Sequence, residues 1–145
     1  MISISIAESD SDLVDIALLK KADDSETIGR EVSDSAALDK ILSIRDEGYN
    51  FWIARDVKAP VGYAVGIARD NFYLSTGLYV LPNYRLRGIG SSLKKAQIEF
   101  ARELGCDEFI THVGEENKAS IRVQKKFGFT FEPSGLGFAA TLALK

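Results

Sequence analysis

The chain has 145 residues, 46% of them hydrophobic and 27% charged, with a formal net charge of −3. That length suits a single domain over residues 1–145, and the balance is that of a folded protein, not a disordered one. A mildly acidic chain is a poor general nucleic-acid binder, one cysteine and one histidine make no Cys/His metal cluster, and Cys106 has no internal disulfide partner.

Ile2, Ile4 and Ile6 alternate with Ser3 and Ser5, the period of a half-buried strand. This stretch lacks the basic flank and apolar run of a signal peptide, and no segment reaches the roughly 18–20 apolar residues of a membrane helix. The expected address is the cytoplasm, with no membrane partner. Ser9 or Ser11 can cap a helix that carries Leu13, Ile16 and Ala17 at helical spacing. Asp23–Arg30 is polar and reads as a loop. Ser33–Glu47 reads as a second helix, with Ala37, Leu38, Ile41, Leu42 and Ile44 on one face and Gly48 past its end.

Three strands follow at short intervals, Phe51–Arg55, Val61–Arg69 and Phe72–Val80, joined by turns at Asp56–Pro60 and Asp70-Asn71. This is the pattern of an antiparallel meander. Gly90–Leu104 then carries Leu93, Ala96, Gln97, Phe100, Ala101 and Leu104 at helical intervals, ended by Gly105. Asp107–Val113 reads as a strand, Lys118–Phe127 as a short helix, and Phe129–Phe131 and Phe138–Leu144 as closing strands. The order predicts an α/β fold: a mixed, mostly antiparallel sheet flanked by about four helices. One parallel pair is expected, between Phe72–Val80 and Asp107–Val113, bridged by the third helix.

The stretch from Val80 to Ser91 is built to hold an anion. Pro82 ends the strand, Arg85, Leu86, Arg87, Gly88, Ile89 and Gly90 follow, and a helix starts at once. The first turn of a helix has free N–H groups and partial positive charge. Glycines allow close backbone approach to a phosphate, and two arginines add fixed charge. The dinucleotide fingerprint wants a third glycine where Leu93 stands, and the P-loop lysine is absent, so neither of those motifs fits.

Arg85-x-x-Gly88-x-Gly90, with its lead-in Leu78-Tyr79-Val80 and Pro82-Asn83-Tyr84, resembles the pyrophosphate-binding motif of the GNAT superfamily of N-acetyltransferases. Downstream, Asn117 to Phe129 is similar to the family's Asn-x-x-Ala-x-x-Leu-Tyr-x-x-x-Gly-Phe. The resemblance spans Leu78 to Phe129. It implies a GNAT-like fold whose parallel strand pair splays apart. It implies acetyl-coenzyme A as co-substrate, no metal, and an amine acceptor, either a small molecule or a peptide or protein amine. The amides of Arg87–Ser91 would hold the pyrophosphate, the strand through Leu78 and Val80 would pair with the pantetheine arm, and Asn117 would contact that arm. An N–H near Tyr79 or Val80 would polarise the thioester carbonyl.

The chain departs from the family at one position that bears on the chemistry. Gln124 stands where many members carry the tyrosine that is thought to protonate the departing thiolate, and an amide is no acid. For the base that takes the amine's proton, His112, Glu115, Glu116, Asp70 and Glu47 are candidates. Edge strands leave a homodimer open. Two other readings stand beside the enzyme: a non-catalytic acyl-coenzyme A sensing domain, which Gln124 favours, and an unrelated α/β phosphate-binding module.

Overall fold

A computed structural model describes all residues, 1–145. The chain runs β1 (Ile2–Ile6), α1 (Asp10–Ile28), α2 (Asp34–Asp46), β2 (Asn50–Asp56), β3 (Ala59–Arg69), β4 (Phe72–Val80), a 3-10 turn (Pro82–Tyr84), α3 (Ile89–Glu103), β5 (Glu108–Gly114), α4 (Lys118–Phe127), β6 (Thr130–Ser134) and β7 (Gly137–Ala143). The strands form one seven-stranded sheet in the order β1-β2-β3-β4-β5-β7-β6. Only β4 and β5 are parallel; the other five pairings are antiparallel. This is the mixed sheet with four helices that the element order predicts.

Strand alternation divides the interior in two. Phe51 and Ile53 pack with Leu13, Ile16 and Ile41 of α1 and α2, while Trp52 and Ala54 pack with Leu93, Ile98 and Phe109 on the α3 side. Each helix start follows from its sequence. Ser9 and Ser33 accept from the amides of Asp12 and Ala36, so each satisfies one donor of the first turn.

One expected loop is helical. Asp23–Ile28 continues α1, which stops only where Gly29 turns left-handed. No glycine or proline interrupts these residues, so local polarity alone does not break the helix. Lys20 pairs with Asp24 one turn on, and the hydroxyl of Thr27 donates to the carbonyl of Asp23. Tertiary bonds hold the extra turn: the hydroxyl of Tyr63 donates to Asp23 at 2.6 Å, and that of Tyr79 to Glu26 at 2.8 Å.

Tight packing across β3 and β4 gives a test. A Cβ on Gly66 would lie 2.5 Å from Cε1 of Tyr73 and 2.8 Å from the backbone oxygen of Leu74. Gly66→Ala should cost about 1–3 kcal/mol in urea unfolding through overpacking. Gly114→Ala, where nothing lies within 4 Å of the added Cβ, should stay within about 0.5 kcal/mol.

Candidate active site

β4 and β5 pair for only four residues, from Phe72↔Glu108 to Ser75↔Thr111. Beyond that point each follows its other neighbour. β4 stays paired with β3 as far as Val80, and β5 with β7 as far as Gly114. The gap between them is a cleft of about 250 Å³, lined by β4 (Ser75–Leu78), β5 (Thr111–Gly114), Lys94 of α3, and Asn117, Ser120 and Gln124 at α4.

An irregularity in β4 decides which amides face this gap. Gly66 pairs with Ser75 and Val65 with Gly77, so Thr76 is one residue too many. The amide of Leu81 donates to Val61, which makes the pairs Tyr63↔Tyr79 and Val65↔Gly77 the hydrogen-bonded ones. Leu78 and Val80 therefore point their amides away from β3, toward the side that β5 has left. Before the bulge the same side is faced by Ser75, whose carbonyl accepts from the hydroxyl of Thr111. Of the two amides expected at the reacting carbonyl, that of Tyr79 is taken up by β3. The amide of Val80 is on the open side, and Leu78 joins it there.

The start of α3 sits against the cleft: Leu78 Cδ2 is 3.5 Å from where a Cβ on Gly90 would be. Gly88 caps the helix in the left-handed region (φ 82°) and no side chain bonds to its first amides. The N–H groups of Ile89, Gly90 and Ser91 therefore have no carbonyl one turn back to bond to. Leu86 is also left-handed (φ 63°) and fully exposed. The two arginines are differently placed. The guanidinium of Arg87 lies over the ring of Tyr84, 4.9 Å from its centroid. Arg85 forks onto both carboxylate oxygens of Glu26 at 2.8 Å and donates through Nε to the carbonyl of Val80 at 2.9 Å. Arg85 thus ties the loop to the end of α1 and does not stand free before the helix. Its hydrogen bond, with that of Tyr79, keeps Glu26 below the ordinary carboxylate range. Burial, aided by Glu26, lifts the Tyr79 hydroxyl to about 12.

Asn117 caps α4, its Oδ1 accepting from the amide of Ser120, and it also lines the cleft. Gln124 is buried there; its Nε2 donates to the hydroxyl of Ser120 at 3.0 Å and its Oε1 has no partner. His112 lines the cleft from β5, and its Nε2 lies 3.0 Å from the carbonyl of Ser134. A carbonyl only accepts, so Nε2 carries the proton and, in the neutral ring, Nδ1 is the free base. Glu47, Asp70, Glu115 and Glu116 line neither this cleft nor the cavity described next. Asp70 sits at the β3–β4 turn, at the opposite end of β4.

A second cavity of about 310 Å³ lies on the α1–α2 side, and Thr76–Leu78 form a wall common to both. Asp23 is its one carboxylate, held by the hydroxyl of Tyr63, with Lys20, Lys40 and Tyr49 around it. Sequence reasoning missed Asp23 and Glu26 because it took them for loop. It also missed Lys94, which is 6% exposed, faces no carboxylate in the cleft, and has its Nζ 5.5 Å from the centroid of the Phe109 ring. Burial brings the Lys94 ammonium down to about 8. Its place in the sequence carries a signal: it precedes Ile98 and Ala101 by four and seven residues, the spacing of the buried face. No group of three His, Cys, Asp or Glu is gathered to hold a metal ion, and no helix is long and apolar enough to cross a membrane.

The family model described as acetyltransferase (GNAT) family matches residues 16–129. Among curated proteins, the chain is 34% identical over 84 residues to aminoglycoside N(6')-acetyltransferase type 1 of Klebsiella aerogenes, covering 50% of this chain and 55% of that one. It is 40% identical over 58 residues to thialysine N-epsilon-acetyltransferase of Sus scrofa, covering 40% and 34%. These matches span about half or less of the relatives' length. Among solved structures, an N-acetyltransferase from Staphylococcus aureus Mu50 superposes with a TM-score of 0.82 at 17% identity, covering 100% of this chain and 99% of that one. The PaiA N-acetyltransferase of Thermoplasma acidophilum, in complex with coenzyme A, gives 0.76 at 20% identity, covering 97% and 99%. At such identity these two show the fold.

Lys94 makes stability depend on pH with a definite sign. Its value is about 8 folded against 10.5 unfolded, so the unfolded chain holds more protons between those limits and stability rises with pH there. Below about 8 the folded state carries the full penalty of a buried charge. Lys94→Met should therefore raise stability at pH 7 by up to about 3 kcal/mol, and the gain should fade toward pH 10.5. Denaturant midpoints of the two proteins across pH 6–10.5 check this.

Proposed function

The chain belongs to the GNAT family of acetyltransferases, and we propose from that premise that residues 1–145 act as one domain that moves the acetyl group of acetyl-coenzyme A onto an amine. The observation that carries this reading is the parting of β4 from β5 directly before the uncapped start of α3. The residues suit such a molecule. Free amides of Ile89, Gly90 and Ser91 at a helix N-terminus suit a pyrophosphate. The outward-facing backbone of Leu78 and Val80 suits an extended amide-bearing arm, as an open sheet edge does. The unpartnered Oε1 of Gln124 and the amide nitrogen of Asn117 suit the arm's own polar groups. Acetyl-coenzyme A, when bound, would supply the acetyl group as a thioester, activated for attack by an amine.

The chain's own groups divide the remaining work. The amide of Leu78, with that of Val80 behind it, is aimed at the side where carbonyl oxygen gains charge on attack, a contact that strengthens in the transition state. The acceptor approaches from the second cavity, through the wall at Thr76–Leu78. Asp23 holds its ammonium and takes the proton that makes it a nucleophile. The hydroxyl of Tyr63 fixes the Asp23 carboxylate, and it keeps its own proton because burial, first, and Asp23, second, push it far above the ordinary range. The acceptor is a cationic amine small or slender enough for that cavity. The named relatives act on aminoglycosides and on a lysine analogue, which both present primary amines.

Turnover of acetyl-coenzyme A with a panel of amines, read by thiol release, tests the reaction. Tight coenzyme A binding with no turnover on any amine would favour the sensing domain. Gly90→Val tests the phosphate loop: a Cβ added there meets only Leu78 Cδ2, at an ordinary contact distance of 3.5 Å, so the fold should hold. Calorimetry should then show acetyl-coenzyme A affinity falling by at least tenfold, since the branched side chain stands where the phosphates approach. Asp23→Asn should lower kcat/KM about a hundredfold or more while coenzyme A affinity stays put, the loss expected of a missing base.

A further inference from the structure

Lys94 lies in the cleft with no acid to balance it. The titratable side chains lining that space are Lys94 from α3 and His112 from β5; β4 contributes Ser75 and Thr76, and α4 contributes Ser120 and Gln124 with Asn117 at its cap. The nearest aromatic partner is Phe109, beneath it on β5. An uncompensated buried cation works against folding, so its presence asks for a negative charge that arrives with a ligand. The cleft is also where the usual tyrosine is missing, since Gln124 cannot give up a proton.

Resting on the acetyltransferase reading above, we propose that Lys94 is the acid that protonates the departing sulfur, taking the part left empty by Gln124. As the acceptor nitrogen bonds to the acetyl carbon, the carbon–sulfur bond breaks and its electron pair stays with sulfur. Lys94 Nζ gives the sulfur a proton and is left a neutral amine. Asp23 has meanwhile taken one proton from the acceptor nitrogen. The acceptor ammonium loses two protons in all, one to Asp23 before attack and a second to water once the nitrogen–carbon bond has formed; water then recharges Lys94 and discharges Asp23, so acetylation of the ammonium releases one proton overall. The lowered ammonium favours this role: an acid near 8 is mostly charged at neutral pH, yet yields its proton to a thiolate more readily than an ordinary lysine.

The test reads the sulfur directly. Coenzyme A is bound to the wild type and to Lys94→Met, and thiolate absorbance is followed against pH. The bound thiol should titrate about one unit higher in Lys94→Met, a tenfold change in its ionisation. In turnover, kcat of the wild type should fall above about pH 8 as Lys94 loses its proton. Lys94→Met should lose that limb and at least tenfold in kcat at pH 7, with coenzyme A affinity within about threefold. Lys94→Arg keeps the charge but cannot act as an acid, and its kcat should stay low. Identical thiol titrations in wild type and Lys94→Met would overturn the proposal, and so would full rate in either variant. If no amine is turned over, the thiol titration alone decides the place of Lys94. If coenzyme A does not bind the wild type at all, this inference and the acetyltransferase reading fall together.

Discussion

β4 and β5 are held side by side by four residue pairs and are then pulled apart by stronger loyalties, β4 to β3 and β5 to β7. A parallel pair has no turn to pin its far end, so nothing opposes the separation once the neighbouring ladders diverge. Thr76 adds the second half of the constraint. One surplus residue reverses the parity of β4, and every backbone group after it faces the side it would otherwise turn from. The split makes the space and the bulge aims the amides into it. The Glu26–Arg85 pair then fixes the loop beyond β4 by gripping the carbonyl of Val80 and the last turn of α1 together.

The interior behind this split is more polar than a packed core needs. Ser75, Gln97, Thr111 and Gln124 are buried with Lys94, and Gln97 Nε2 and Gln124 Oε1 have no partner. The hydroxyl of Ser75 satisfies one end of Gln97 at 2.9 Å, so the deeper part of the network is only half complete. Half-satisfied networks destabilise a fold, and the chain carries this one beside its cleft and nowhere else. Stability given up at one place is the mark of a site shaped for something other than folding.

The sequence was clearest where the chemistry is local. The glycines, arginines and strand exit of Val80–Ser91 lie within a dozen residues, and the helix start they predict is in the structure. The parallel pair was legible because a fifteen-residue helix separates its strands. Three things were not. Asp23–Ile28 looked like loop because its helix is secured by Tyr63 and Tyr79, forty and more residues away. The bulge at Thr76 leaves no mark in composition, since it exists only as a register between β3 and β4. Lys94 sits at a buried helical position, yet a charged residue there reads as the rim of the face until the cleft below it is seen.

The two packed clusters on either side of the sheet share no fully buried residue, and half-buried Leu81 alone packs against both. The second cavity is walled by side chains of the α1–α2 cluster, whereas α3 and its neighbours rest on the other. Ile41, Ile44 and Tyr49 wall that cavity and pack within the α1–α2 cluster alone. Such a division gives evolution separate handles: the lining of one cavity can drift from one descendant to the next while the packing beneath the glycine loop is inherited intact.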